Sequence, residues 1–135
     1  MSGNNIHTPV DIAVSGLRAQ STRMNVIAGN IANSSTSRTP SGGPYRRQEV
    51  ILSSRGEGLA GVEVEDITSD MLADFKRIYQ PGHPHADDKG YVLMPNVDLP
   101  VEIINLVSAS RAYQANAAVL KRYEEMVNVA IELLK

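Results

Sequence analysis

The sequence predicts a mainly α-helical chain with a small β insert, its two long terminal helices packing as a helical bundle or coiled coil in a helical assembly. Three observations carry that prediction. Aliphatic residues recur in alternating steps of three and four at both ends of the chain, as they do along the seam of a helical bundle. Apolar and polar residues alternate by twos in the middle. The apolar content is Ala, Val, Ile, Leu and Met, with no Trp and one Phe among 135 residues, so the aromatic bulk that fills many compact cores is missing.

The first helix is expected over residues 8 to about 33. Thr8 suits the N-cap, Pro9 the first helical position, and Asp11 follows three residues after the cap. Val10, Val14, Leu17, Ser21, Met24, Ala28 and Ile31 form a heptad seam in which only Ser21 is polar. Arg18, Gln20, Arg23 and Asn30 read as the opposite, polar face. The stretch NSSTSRTPSGGP, residues 33–44, is rich in turn formers without apolar periodicity and reads as a loop.

Between residues 45 and about 95 the pattern changes to strands. RRQEVIL and GVEVED alternate apolar and polar residues, as half-buried strands do. DFKRIYQPGHP and GYVLMP read as a second strand pair, joined through the turn-rich PGHPHADDKG. The second long helix is expected over residues 98–135, capped by Asp98, with Pro100 tolerated in its first turn. One seam along it is Leu99, Ile103, Leu106, Ser110, Tyr113, Ala117, Leu120, Glu124, Val127, Ile131 and Leu134. A neighbouring seam is Ala109, Ala112, Asn116, Val119, Tyr123, Met126, Ala130 and Leu133. Two adjacent seams make a broad apolar face that needs more than one neighbour. The expected organisation is residues 1–44 and 98–135 as an axial helical core around a β-rich insert, 45–97.

Composition excludes several functions. A net charge of −2 argues against nucleic-acid and anionic-membrane partners. The absence of cysteine excludes disulfides, thiolate metal sites and cysteine nucleophiles. No apolar run reaches the roughly 18 residues of a membrane span, and no cleavable secretion leader is visible at the amino terminus. SGGP lacks the lysine and hydroxyl residue of a phosphate loop, and no serine sits in a G-x-S-x-G setting. Asn33-Ser34-Ser35 matches a glycosylation acceptor, a pattern common by chance. Arg46-Arg47 is an isolated basic pair that reads as a strand edge or salt-bridging contact. No catalytic residue, cofactor site or metal site is assigned.

The turn at 81–98, PGHPHADDKGYVLMPNVD, poses the one chemical alternative. His83, His85, Asp87 and Asp88 offer metal-ligating atoms, which would make the chain a small metal-binding or metal-dependent module. Against that, Pro81, Gly82 and Pro84 break any regular strand, and a closed zinc site needs four ligands while His7 is the one further histidine. The other reading is a rigid turn that shapes the chain's approach to the second helix. A third possibility is a monomeric helical adaptor.

Residues 15–50, SGLRAQSTRMNVIAGNIANSSTSRTPSGGPYRRQEV, resemble the amino-terminal signature of flagellar rod and hook axial proteins. There, an amphipathic helix ends in the run seen here as Asn30, Ile31, Ala32 and Asn33, followed by a Thr-rich turn and a tyrosine, here Tyr45. Residues 81–116 are similar to a second signature, found in the proximal rod member of that family. Its marks here are Gly82, His83, Pro84, Gly90, Tyr91, Pro95 and Asn96, then Arg111, Tyr113 and Asn116 in the helix. His85 falls outside the pattern, and residues 53–80 resemble the family least.

The resemblance implies a structural subunit of the flagellar basal-body rod, not an enzyme. It would leave the cell through the flagellar type III export apparatus without a cleaved signal, reside in the periplasmic rod, and polymerise with itself and other rod proteins. It would insert in no membrane and bind no nucleic acid. The seam of the first helix (Val10, Val14, Leu17, Met24, Ala28 and Ile31) and the first seam of the second (Leu99, Ile103, Leu106, Tyr113, Ala117, Leu120, Val127, Ile131 and Leu134) are the expected assembly interface.

Overall fold

The computed structural model describes residues 8–135. The leader region and His7 considered above lie outside those residues. In chain order the elements are α1 (Pro9–Ala32), β1 (Gln48–Ser54), β2 (Val62–Ser69), β3 (Lys76–Tyr79), β4 (Tyr91–Met94) and α2 (Leu99–Leu133). The mainly helical class with a β insert is therefore correct in outline. The insert is two separate two-stranded antiparallel sheets, β1–β2 and β3–β4.

Local chemistry explains where both helices begin. Thr8 Oγ1 accepts from the Asp11 N–H while the Asp11 carboxylate accepts from the Thr8 N–H, a reciprocal capping box ahead of Pro9. At α2 the Asp98 side chain accepts from the Val101 N–H, and Pro100 lies in the first turn, where no intrahelical N–H is needed. At the far end of α1 the Asn33 N–H and its Nδ2 both donate to the Gly29 carbonyl.

The helices run antiparallel, because α2 passes Gly16 of α1 at Asn116 and passes Asn30 at Glu102. At that first crossing a Cβ on Gly16 would lie 2.6 Å from Asn116 Oδ1, so any larger residue there would displace the Asn116 amide. The stripe of α1 that turns inward includes Ala13, Gly16, Ala19, Ile27 and Asn30, all buried. This corrects one sequence expectation, since Asn30 is an interior residue rather than part of a polar outer face. The large aliphatics of the heptad seam, Val10, Val14, Leu17, Met24 and Ile31, are half-buried. The space a side chain on residue 16 would need is filled by the Asn116 amide, whose Nδ2 donates to the Ala112 carbonyl at 2.9 Å. Gly16→Leu should therefore lower folding stability by about 1 to 3 kcal/mol through overpacking, seen as a reduced urea midpoint. An unchanged midpoint would show that the crossing tolerates bulk.

On α2 the inward residues include Glu102, Ala109, Ala112, Asn116 and Tyr123, of which only Glu102 and Ala109 are buried. At 35 residues this helix is about 52 Å long, and it outruns the 24 residues of α1. Beyond Tyr123 every residue is exposed.

The β1–β2 hairpin packs on α1. A bulge between Ile51 and Leu52 skips Glu65, pairing Ile51 with Asp66 and Leu52 with Val64. The extra residue lets Val62, Val64 and Ile67 share one face despite their two-then-three spacing. Gly61, at φ +104°, leads into β2 against Ser15, whose Oγ accepts from the Val62 N–H at 3.1 Å. No described helix is long and apolar enough to cross a membrane.

Candidate assembly interface

The inner side of the helical pair is closed by polar atoms. Asn30, fully buried, uses its whole hydrogen-bonding capacity. Its Nδ2 donates to the Gln48 carbonyl (2.8 Å) and to Glu102 Oε2 (3.1 Å). Its Oδ1 accepts from the Tyr45 hydroxyl and the Gln48 N–H, both at 2.9 Å. Glu102 is equally buried, and Arg47 Nε donates to its other oxygen. The Arg47 N–H donates to Asn96 Oδ1 at 2.7 Å, and Asn96 Nδ2 donates to the carbonyls of Asp70 and Ala73. One connected set of bonds thus ties the end of α1, both hairpins and the start of α2.

The chain folds that way locally because the Ser/Thr/Gly loop doubles back. The Tyr45 N–H donates to the Thr36 carbonyl, bringing the phenol alongside the last turns of α1. Burial, with the charge of Glu102 added, pushes the Tyr45 hydroxyl above its ordinary pKa. For Arg47 burial works against the charged form, but the Glu102 hydrogen bond and charge, with Glu49 and Asp70, outweigh it and push the pKa up. A tyrosine raised in the folded state contributes stability that is whole below pH 10 and lost as pH rises through the elevated value. Unfolding midpoints should fall above pH 10 in the wild type, and Tyr45→Phe should flatten that fall. A fall of the same size in the variant would remove Tyr45 as its source.

The outer side is the reverse, apolar and only partly covered. Among the expected interface positions of α2, Leu99 is 42 % exposed, Ile103 49 %, Tyr113 38 %, Val127 38 %, Ile131 51 % and Leu134 87 %. Leu106, Ala117 and Leu120 are half-buried. On α1, Val10, Val14, Leu17, Met24 and Ile31 are half-buried and Ala28 is exposed. None of these positions is fully covered by the chain's own atoms. Ile104, Val107, Val119, Met126, Val129 and Leu133 widen the exposed apolar surface of α2 beyond the first seam.

The signature residues divide between these two sides. Asn30, Asn33, Tyr45, Pro95, Asn96 and Asn116 hold the interior together, and Gly90 is buried against Tyr79 and Pro81. Tyr91 is on the rim, its ring edge-on to Tyr79 at 5.2 Å, with the Arg77 guanidinium over it at 4.2 Å. Ala32, Gly82, Pro84, Arg111 and Tyr113 face outward. Sequence reasoning left Glu102 unremarked and saw Arg47 only as a strand edge or salt-bridging contact. The signal that could have found Glu102 is its place on the stripe 102, 109, 116, 123, where a charge at a heptad position needs a partner.

The histidine turn is committed to its own shape. His83 Nδ1 accepts from the His85 N–H at 3.0 Å, and His85 Nδ1 bonds the Ser37 hydroxyl at 2.7 Å. Burial, with Arg38 and His83 nearby, holds His85 below its ordinary pKa. Asp87 accepts from the N–H groups of Tyr91 and Lys89 and faces Arg77 at 3.5 Å. These hydrogen bonds, that of Tyr91 foremost, hold its carboxyl below the usual range. Among the described residues, no three His, Asp or Glu side chains gather as a metal-ligand group. The alternative built on His83, His85, Asp87 and Asp88 thus has no geometric support.

A helical pair locked by polar atoms inside and lined with exposed apolar side chains outside is built as a structural element. Sequence comparison places that class. The family model described as flagella basal body rod protein matches residues 11–38, and the one described as flagellar basal body rod FlgEFG protein C-terminal matches residues 88–133. Flagellar basal-body rod protein FlgC of Escherichia coli O6:H1 is 47 % identical over 120 residues, covering 87 % of this chain and 89 % of the relative. The proteins of that name from Borreliella burgdorferi and Bacillus subtilis are 40 % and 36 % identical, covering 96 % and 93 % of this chain and 98 % and 96 % of theirs. The chain belongs to the flagellar basal-body rod protein FlgC family.

Proposed function

We propose that this chain is a structural subunit of the flagellar rod that polymerises with itself and other rod proteins through its terminal helices, helping to build a hollow, torque-transmitting shaft. The observation that carries the reading is the ordered but uncovered apolar surface of α2, with Ile103 at 49 % and Ile131 at 51 % exposure. An isolated protein rarely keeps so long an apolar stripe in water, and such a stripe marks a site of association. Residues 1–44 and 98–135 form the axial core on this reading, packed as a bundle or coiled coil, and residues 45–97 reach sideways to adjacent subunits. Passage through the type III export apparatus and residence in the periplasmic part of the basal body complete the proposal. It assigns no catalytic residue and no cofactor.

Rigidity is what the polar lock supplies. Asn30, Arg47 and Glu102 bind α1 to α2 and to both hairpins at fixed atoms, so load on one helix passes to the other. The test is the paired substitution Ile103→Asp with Val127→Asp, which should leave a folded chain and abolish rods and swimming. Normal swimming in that variant would refute the reading.

A further inference from the structure

The loop between β2 and β3 combines exposed apolar side chains with an unusually fixed backbone. Leu72 is 97 % exposed and Met71 is 73 % exposed. The backbone beneath them is held from three directions. Asp70 Oδ1 accepts from the N–H groups of Leu72 (3.0 Å) and Ala73 (3.1 Å). Arg46 Nη1 and Asn96 Nδ2 each donate to the carbonyls of both Asp70 and Ala73, at 2.9 to 3.2 Å. The Arg46 guanidinium also covers the Phe75 ring at 4.2 Å. The bonds from Ala73 and Leu72 hold the Asp70 carboxyl below its ordinary range, so the clamp is charge-assisted at neutral pH.

A leucine on a loose loop tip needs no explanation. Two apolar side chains held on a clamped backbone are different, because Met71 and Leu72 themselves gain almost no burial within the chain from that order. Pre-positioning apolar anchors lowers the entropic cost of association and concentrates binding energy in a few residues.

The same chain presents a receptor. Val26 and Ile27 of α1 and Val50 and Leu52 of β1 line an open cleft of about 280 Å³ together with the polar residues Arg23, Arg47, Gln48, Glu49 and Asn105. It is large enough for a leucine side chain, and Arg47 and Glu49 face each other at 3.8 Å. Arg23 forms no ion pair among the described residues, and neither does Asp74, two residues beyond Leu72. With Arg47 and Glu49 offsetting each other, Arg23 is the uncompensated charge of the cleft, and four aliphatic side chains line it, so an apolar knob with a flanking acid matches it.

We propose that Met71 and Leu72 form a pre-set knob that seats in the cleft between α1 and β1 of a second copy of this chain, with Asp74 meeting Arg23. The inference rests on the assembly reading above and names one contact within it. Knob and cleft are different patches, so the contact joins unlike surfaces, the geometry from which extended assemblies are built.

The chain has no cysteine, so introduced thiols report cleanly. Cells producing both Leu72→Cys and Val50→Cys full-length chains should yield, on oxidation of isolated basal bodies, a disulfide-linked dimer containing one of each. Neither variant alone should give it. In parallel, Asp74→Arg and Arg23→Asp should each reduce rod number roughly tenfold, the effect of about 1.4 kcal/mol, and together restore it. Either the mixed dimer or the restoration supports the contact. Absence of both, or linkage of Leu72→Cys to a different rod protein, overturns it. Basal bodies that contain the chain without the mixed dimer or the restoration would sink the knob alone. Basal bodies lacking the unaltered chain would sink the assembly reading as well.

Discussion

Arg47→Met should lower the folding stability of this chain by about 3 kcal/mol, the lower end of the cost of stranding one partner of a buried ion pair. The Glu102 side chain is 1 % exposed, so without Arg47 its charge would keep one amide donor, Asn30 Nδ2, as compensation. The lower end applies because the Arg47 side chain is itself 18 % exposed, and water screens part of the pair. Small domains hold only about 5 to 15 kcal/mol in total, so the loss should be plain in the urea midpoint. The diagnostic comparison is with the double variant Arg47→Met, Glu102→Gln. Neutralising the stranded carboxylate should return part of the loss, making the two substitutions strongly non-additive. Additive effects would mean that the pair is a surface contact rather than a lock.

The second large effect belongs to the outside of the molecule. Ile103 and Val127 are 49 % and 38 % exposed in the single chain, so exchanging both for aspartate should leave helix content and urea midpoint nearly unchanged. In an assembly the same positions would be buried, each contributing roughly 1.5 to 3 kcal/mol. Losing both and placing charges there should weaken association by at least about a hundredfold, read as loss of rods in electron micrographs and of swimming on soft agar. Leu106 and Leu120 are poorer probes because the chain already half-buries them, which confounds folding with assembly. A variant that loses both fold and rods would overturn the division into an inner lock and an outer seam.

Where elements begin was legible in the residues. Thr8 with Asp11, and Asp98 with Pro100, carry their capping chemistry within one turn, and the structure uses both pairs as expected. The two hairpins follow from alternation and from Gly- and Pro-rich turns. Asn30 shows what was not legible. Periodicity ranked the stripes of α1 by apolarity and set Asn30 with Arg18 and Gln20 on a polar face. Its burial depends on atoms distant in the chain, the Gln48 backbone, the Tyr45 hydroxyl and the Glu102 carboxylate.

The sequence by itself determined that this chain carries two long amphipathic helices at its ends, a β insert between them, and more apolar helical surface than a chain this size hides. Those properties are local and repeat with the period of the backbone. Only the tertiary structure decided which stripe faces inward. That choice turns on the fit of the Asn116 amide over Gly16 and on whether each buried polar atom finds a partner, and both are properties of residue pairs far apart in sequence. On the two helices, Asn30, Glu102 and several small residues were taken inside with Ile27, and many of the large aliphatic side chains of α2 were left exposed.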